Sequence, residues 1–236
     1  MNNAADKTRQ RQLDALEQLA DQRWSEADQA IIHRFIDCYY ASMATEDLTA
    51  RAPGSLYGLA LSHWRLGYQR PRGEVALRVY NPDPEQDGWE STHSVVQIVA
   101  DDQPFLVDAL SMAVNEQGLM IHLISHPVLE IARDAGGHVA AVSDRSSSDG
   151  EPEAWIHIEV DRQAGDAPLD ALEAAVRDTL RDVEVAVADW QAMRHQAEQA
   201  RRSLKRRAPA ADDDYPAGID ALLEWMLDDH FTVLGH

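Results

Sequence analysis

The chain has 236 residues, 44% of them hydrophobic, and a formal net charge of −20. That acidity argues against nucleic acid or an anionic membrane as the main partner, because phosphate contacts need clustered Lys and Arg. There is no apolar run of the ~18 residues that reads as a membrane span. There is also no apolar signal core at the N-terminus, and the single cysteine, Cys38, excludes an internal disulfide framework and fits a cytoplasmic setting.

Residues 6–21 are polar, with Leu13, Leu16 and Leu19 at three-residue spacing, and read as a helix. Ser25 and Asp28 have capping-box spacing, and behind them Ile31, Ile32, Phe35, Ile36 and Tyr39 recur at helical period to about Met43. A polar break at 45–47 precedes a helix over 53–68, whose stripe is Leu56, Leu59, Ala60, His63 and Trp64. These pieces form a helical subdomain, residues 1–72, ending at the Pro/Gly-punctuated run 70–73.

The period then changes. Val75, Leu77 and Val79 alternate with Ala76, Arg78 and Tyr80, which predicts a strand at one sheet edge, and 81–88 is turn-rich. Residues 94–100 are apolar and β-branched, as a central strand requires. Asp101 or Asp102 is placed to cap the next helix, with Pro104 in its first turn and Gly118 at its end. Strand character returns from Leu119 to about Arg133, Gly136 and Gly137 mark a hairpin into 138–142, and 143–152 reads as a loop. Trp155, His157 and Glu159 alternate against Ile156, Ile158 and Val160 in a further strand, followed by a helix over 167–182.

Residues 183–188 fit either a continued helix or a strand; the strict alternation of Val183, Val185 and Val187 favours a strand. Helices follow to about Arg207 and over 216–228. Residues 231–234 read as the start of a strand with no partner in the chain, as expected where a longer polypeptide is cut at the entry to its next domain. The order over 94–188 is βαββαβ. The predicted fold is therefore α+β: a ferredoxin-like antiparallel sheet with helices on one face, spanning residues 73–188. It is preceded by the helical subdomain and followed by C-terminal helices over 189–236.

Val-Tyr-Asn-Pro at 79–82, Gly-Trp at 88–89, Ser-Thr-His-Ser at 91–94, Asp-Asp-Gln-Pro-Phe-Leu-Val-Asp at 101–108 and Gly-Leu-Met-Ile-His-Leu-Ile at 118–124 resemble the N-terminal region of the large bacterial NAD-specific glutamate dehydrogenases. The likeness extends more weakly to Leu48 and through 59–64, and forward to the end of the chain. It implies an ACT domain, the small-ligand regulatory module of that family, in a subunit several times longer whose catalytic residues lie elsewhere. It further implies NAD as cofactor of the parent enzyme with none bound by this segment. The partners it implies are the remaining domains of the same polypeptide, further copies of the subunit and an amino acid effector. A ligand-free scaffold and a free-standing ACT regulator are the alternatives.

In ACT domains the ligand commonly sits by the loop from the first strand to the first helix, here Asp101, Asp102, Gln103 and Phe105. Unpaired N–H groups at the helix start suit a carboxylate and an Asp suits an ammonium group, although the bland reading of the acids is a helix cap. Unlike many amino-acid-binding ACT loops, this one has no glycine. His122 and His126 share strand parity and His157 could join them, but no further ligand stands at metal spacing, so ordinary histidines are expected. Cys38 reads as a buried thiol and the basic run 201–207 as a helix C-terminus. There is no Gly-x-Gly-x-x-Gly, Walker loop or Gly-x-Ser-x-Gly, hence no support for a nucleotide site or catalytic nucleophile.

Overall fold

A computed structural model describes residues 3–144, 150–206 and 215–230. The chain divides into two compact units, one of Met1–Gln103 with Val107–Arg177 and the other of Pro104–Leu106 with Asp178–His236.

In the first unit, four helices come before the sheet: α1 (Asn3–Asp21), α2 (Glu26–Tyr40), α3 (Thr45–Thr49) and α4 (Pro53–Gly67). The polar break expected at 45–47 is the short helix α3, which buries Leu48. Ser25 precedes α2 in extended geometry, and its hydroxyl bonds the Asp28 carboxylate at 2.6 Å rather than a backbone N–H. Helix α4 starts on Pro53 at its first position, where the missing N–H has no partner to lose. It is buried on nearly every side, and two of its glycines make room for tryptophans. A Cβ at Gly58 would lie 2.9 Å from Trp89 Cγ, and one at Gly67 2.8 Å from Trp155 Cζ3.

Six strands form one antiparallel sheet in the order β1-β2-β6-β4-β5, with β3 also on β6. They are β1 (Ala76–Tyr80), β2 (Ser94–Asp101), β3 (Ile121–Ser125), β4 (Val128–Arg133), β5 (Val139–Ser143) and β6 (Glu151–Val160). The single strand expected over 119–133 is broken at His126 and Pro127. Its two halves, β3 and β4, pair with the two ends of β6. Helices α5 (Leu106–Glu116) and α6 (Asp166–Ala188) complete the α+β pattern. Gly118 ends α5 at φ 73, a left-handed value that glycine adopts without strain.

Residues 183–188 are not a strand: α6 runs without a break to Ala188. The helical spacing of Leu180, Val183 and Val187 prevails over the alternation. The sheet has no vacancy for them beside β2, because β1 already pairs there along Ala76↔Val99 to Tyr80↔Val95. An N-terminal strand thus fills the edge that the last strand of a βαββαβ unit would occupy.

The pleat sorts the sheet into two faces. Val95, Gln97 and Val99 lie opposite Glu159, His157 and Trp155, and this face packs against the N-terminal helices. Phe35 is central there, with ring centroids 4.9 Å from Trp64 and 5.0 Å from Trp155. Burying each such side chain stabilises the fold by roughly 1.5–3 kcal/mol. Val96, Ile98, Ile156 and Ile158 point the other way and are fully buried, as are Leu110 and Val114 of α5 and Leu172 and Val176 of α6.

The helix-facing side also carries polar groups; among the described residues His157 Nδ1 and Trp155 Nε1 are buried without a hydrogen-bond partner, while others are paired. Tyr39 Oη donates to His63 Nδ1 at 2.8 Å, and His63 Nε2 donates to the Ile98 carbonyl at 3.0 Å, which sets the tautomer. Ser62 reaches Tyr80 at 2.6 Å and Gln97 at 3.0 Å. Arg51, just after α3, clasps buried Glu159 with two bonds of 2.7 and 2.9 Å.

The second unit includes α7 (Trp190–Arg206), α8 (Tyr215–Trp225) and a π-helical turn, Met226–His230. Helices α7 and α8 pair through Arg201, which bridges Asp220 at 2.9 Å and also reaches Glu224. The strand start expected at 231–234 and the end of the basic run, Arg207, lie outside the described residues.

Candidate effector-binding site

Asp101 closes β2 opposite Glu153 of β6. Beside it stands Arg70, from the segment after α4 and only 2% exposed, which bridges Asp101 and Glu153 at 2.7 Å each. Its Nη1 donates to the Glu74 carbonyl at 2.6 Å, while its Nε is buried with no hydrogen-bond partner. Burial opposes the Arg70 charge, but the carboxylates of Glu153 and Asp101 outweigh it and hold the guanidinium above its ordinary value. Arg133, at the end of β4, clasps the same Glu153 through Nε and Nη2 at 2.7 Å each, and donates to the carbonyls of Gly67 and Gly137. A buried carboxylate shared by two guanidiniums, with further donors satisfied by backbone carbonyls, is the arrangement that makes a buried charge tolerable.

These side chains line a cavity of about 460 Å³. Arg72 and Glu151, both exposed, face each other at its rim at 3.2 Å, and Asp134 and the Gly136–Gly137 turn close one side. Both signs of charge meet there, so a small zwitterion would find a donor and an acceptor in one place.

The expected loop residues divide. Asp101 is in this ionic group and caps no helix. The Asp102 N–H donates to the Pro152 carbonyl at 3.0 Å, which continues the strand-like path. Helix α5 does not begin until Leu106, so Pro104 precedes it. Phe105 takes φ 71, a left-handed value in a residue that is not glycine, and is 39% exposed. Such backbone strain typically costs about 1–2 kcal/mol.

The three histidines considered as a metal trio stand apart. His122 bonds Asp161 at 2.8 Å and stacks on His93 at 4.2 Å. His126 lines a crevice with Cys38, and His157 is buried against Glu159 at 3.3 Å. Among the described residues no group of three or more His, Cys, Asp or Glu side chains could hold a metal ion. Cys38 is buried, and that burial raises its thiol above the ordinary value.

Arg70, Arg133 and Glu153 escaped the sequence reading. One signal was present: Glu153 falls at the same strand parity as Trp155, His157 and Glu159, and charged residues in phase with buried aromatics mark a polar face turned inward.

Comparison with known proteins bears on what this fold serves. The model of the glutamate dehydrogenase ACT1 domain family matches residues 35–176. The chain belongs to that family. The ACT1 chain is 37% identical to the NAD-specific glutamate dehydrogenase of Halomonas elongata over 95% of its own length. It is 35% identical to that of Pseudomonas aeruginosa over 86%, and 26% identical to that of Mycobacterium tuberculosis over 78%. It spans only 14%, 13% and 11% of those three proteins. The resemblance to the ACT-containing region of NAD-specific glutamate dehydrogenases therefore holds. No helix among the described residues is long and apolar enough to cross a membrane.

Proposed function

We propose that this chain is a non-catalytic regulatory and assembly region of a cytoplasmic NAD-dependent glutamate dehydrogenase. The parent would convert L-glutamate, NAD and water to 2-oxoglutarate, ammonia and NADH, with the NAD site and catalytic groups elsewhere in the polypeptide. The carrying observation is the match to the ACT1 family over 35–176 in a chain that spans so little of its NAD-specific relatives. An amino acid effector would bind at the loop of Asp101, Asp102, Gln103 and Phe105 and bias the catalytic domains between states. Such coupling is typically worth about 1–3 kcal/mol. The mixed charge beside Asp101 supports a zwitterionic ligand, and the strained Phe105 marks the loop as a place where backbone energy is spent for a purpose other than packing.

Two measurements test this. The purified chain is expected to yield no NADH from glutamate and NAD; measurable turnover would overturn the reading. Thermal unfolding with each of the twenty amino acids, 2-oxoglutarate, citrate and NAD should show a selective rise. A ligand at a hundredfold excess over its Kd stabilises by ~2.7 kcal/mol, and Asp102→Ala should remove the effect.

A second reading, a scaffold that makes subunit contacts without ligand, is favoured by one feature. Among the described residues β1 pairs with β2 alone, which leaves its other edge open to a strand from another copy. Self-association that survives Asp102→Ala, with no ligand raising the melting temperature, would select it.

A further inference from the structure

A second cavity, of about 580 Å³, opens between α2, α4 and the edge strand β5, in the helical part of the first unit. Its walls are Trp24, Ile31, Trp64 and Tyr68, and it carries one acid and one base, Asp28 and Arg65, both exposed. The aromatic walls are held in place. Trp24 Nε1 donates to Tyr57 Oη at 3.0 Å, Trp64 packs on Phe35 at 4.9 Å, and Tyr68 lies between Trp64 at 5.7 Å and His138 at 5.5 Å. Tyr68 remains 43% exposed although it stands among apolar neighbours, a large aromatic surface left facing open space.

The volume and lining are those of a small-molecule pocket: mostly apolar and aromatic, with a few polar groups that set orientation. Trp64 is only 3% exposed and forms the floor, while the held rings of Trp24 and Tyr68 leave aromatic surface that suits a flat ring. The polar pair narrows the class further. A neutral ring would cover Asp28 and Arg65 without replacing their water contacts, and a ring bearing one charge would satisfy one of them only.

We propose that this cavity binds an aromatic amino acid, with its ring between Trp24 and Tyr68 above the buried Trp64, its ammonium group at Asp28 and its carboxylate at Arg65. The site is separate from the 101–105 loop and does not depend on it.

The test is titration of the 236-residue chain with L-phenylalanine, followed by the fluorescence of its tryptophans and by thermal unfolding. Phenethylamine and phenylacetate, each lacking one charge, serve as comparison ligands. L-phenylalanine is expected to shift the emission and raise the melting temperature, with both analogues at least tenfold weaker. Ala140→Trp, at an exposed lining position of β5, fills the mouth and should abolish binding. Arg65→Gln, on the exposed side of α4, covers the case in which Ala140→Trp does not fold. It should weaken L-phenylalanine about tenfold and leave phenethylamine unchanged. Equal binding of all three ligands, or binding that survives Ala140→Trp in a folded protein, would overturn the assignment. A response to amino acids that disappears in Asp102→Ala but is indifferent to Ala140→Trp and Arg65→Gln would overturn it too, while leaving the regulatory reading in place. Loss of every ligand response would remove both.

Discussion

His63 shows how much one side chain can report about this fold. It is fully buried, accepts from Tyr39 and donates to the Ile98 carbonyl, so its neutral form is the one the structure uses. Burial is the main reason its pKa is pushed down from 6.5 to about 3, and nearby His157 acts in the same direction. The folded-state value lies below the unfolded one, so the stabilising contribution is complete above pH 6.5 and is lost as pH falls from 6.5 toward 3. Below pH 6.5 the unfolded chain takes up a proton that the folded chain refuses, and stability declines by roughly 1.4 kcal/mol per pH unit from this residue. Urea unfolding between about pH 7 and 4 should show that slope. His63→Gln should be less stable near pH 7 but flatter with pH, so the gap to the parent narrows as pH falls; burial lowers His157 as well, so some slope remains. An unchanged slope in the variant would contradict the assignment.

At the scale of elements, period and identity were readable where one face of an element is buried. The stripe of Leu56, Leu59, Ala60, His63 and Trp64 places α4, and the β-branched run of 94–100 places β2, because burial on a fixed face leaves its period in the sequence. At 183–188 the same method gave the wrong element. Valines at alternate positions also place two of their number, Val183 and Val187, four residues apart, so one sequence satisfies both periods. The sheet decides between them, and its edge beside β2 belongs to β1. Val185 is 51% exposed on α6, which separates the two outcomes experimentally. Val185→Ala should be neutral or stabilise by up to about 0.5 kcal/mol, because alanine is the better helix former. A strand would instead lose β propensity, on a scale that spans about 1 kcal/mol. Thermal midpoints of the two proteins measure the sign.

Across the first unit, the N-terminal helices and the sheet share a single hydrophobic core, and a long-range ion pair ties them. Arg51 and Glu159 are separated by 108 positions, and Glu159 is fully buried. Burial opposes its ionisation, but hydrogen bonds from His157 and Arg51 outweigh that and hold the carboxyl well below the usual range. Glu159 keeps His157 and His93 beside it and Arg51 is 28% exposed, so Arg51→Met should destabilise by about 1–3 kcal/mol. Combining it with Glu159→Gln should recover part of that loss in a double-mutant cycle read from urea midpoints. Strict additivity would mean that the pair does not join the layers energetically.

Taken alone, the amino-acid sequence determined the α+β class, most helix and strand positions, and the family. Each of these is written locally, as a period, a turn or an ordered set of short motifs. It also singled out Asp101 but assigned it to a helix cap or a ligand. Only the tertiary structure decided that Asp101 faces Arg70, that Arg133 and Glu153 complete the group, and that Trp24, Trp64 and Tyr68 wall one cavity. It also decided that β1 rather than 183–188 closes the sheet beside β2. The physical reason is common to all of these. Contacts between residues far apart in the chain are set by which strands pair and which elements fill each face and edge of the sheet, and that choice leaves no periodic trace in the sequence.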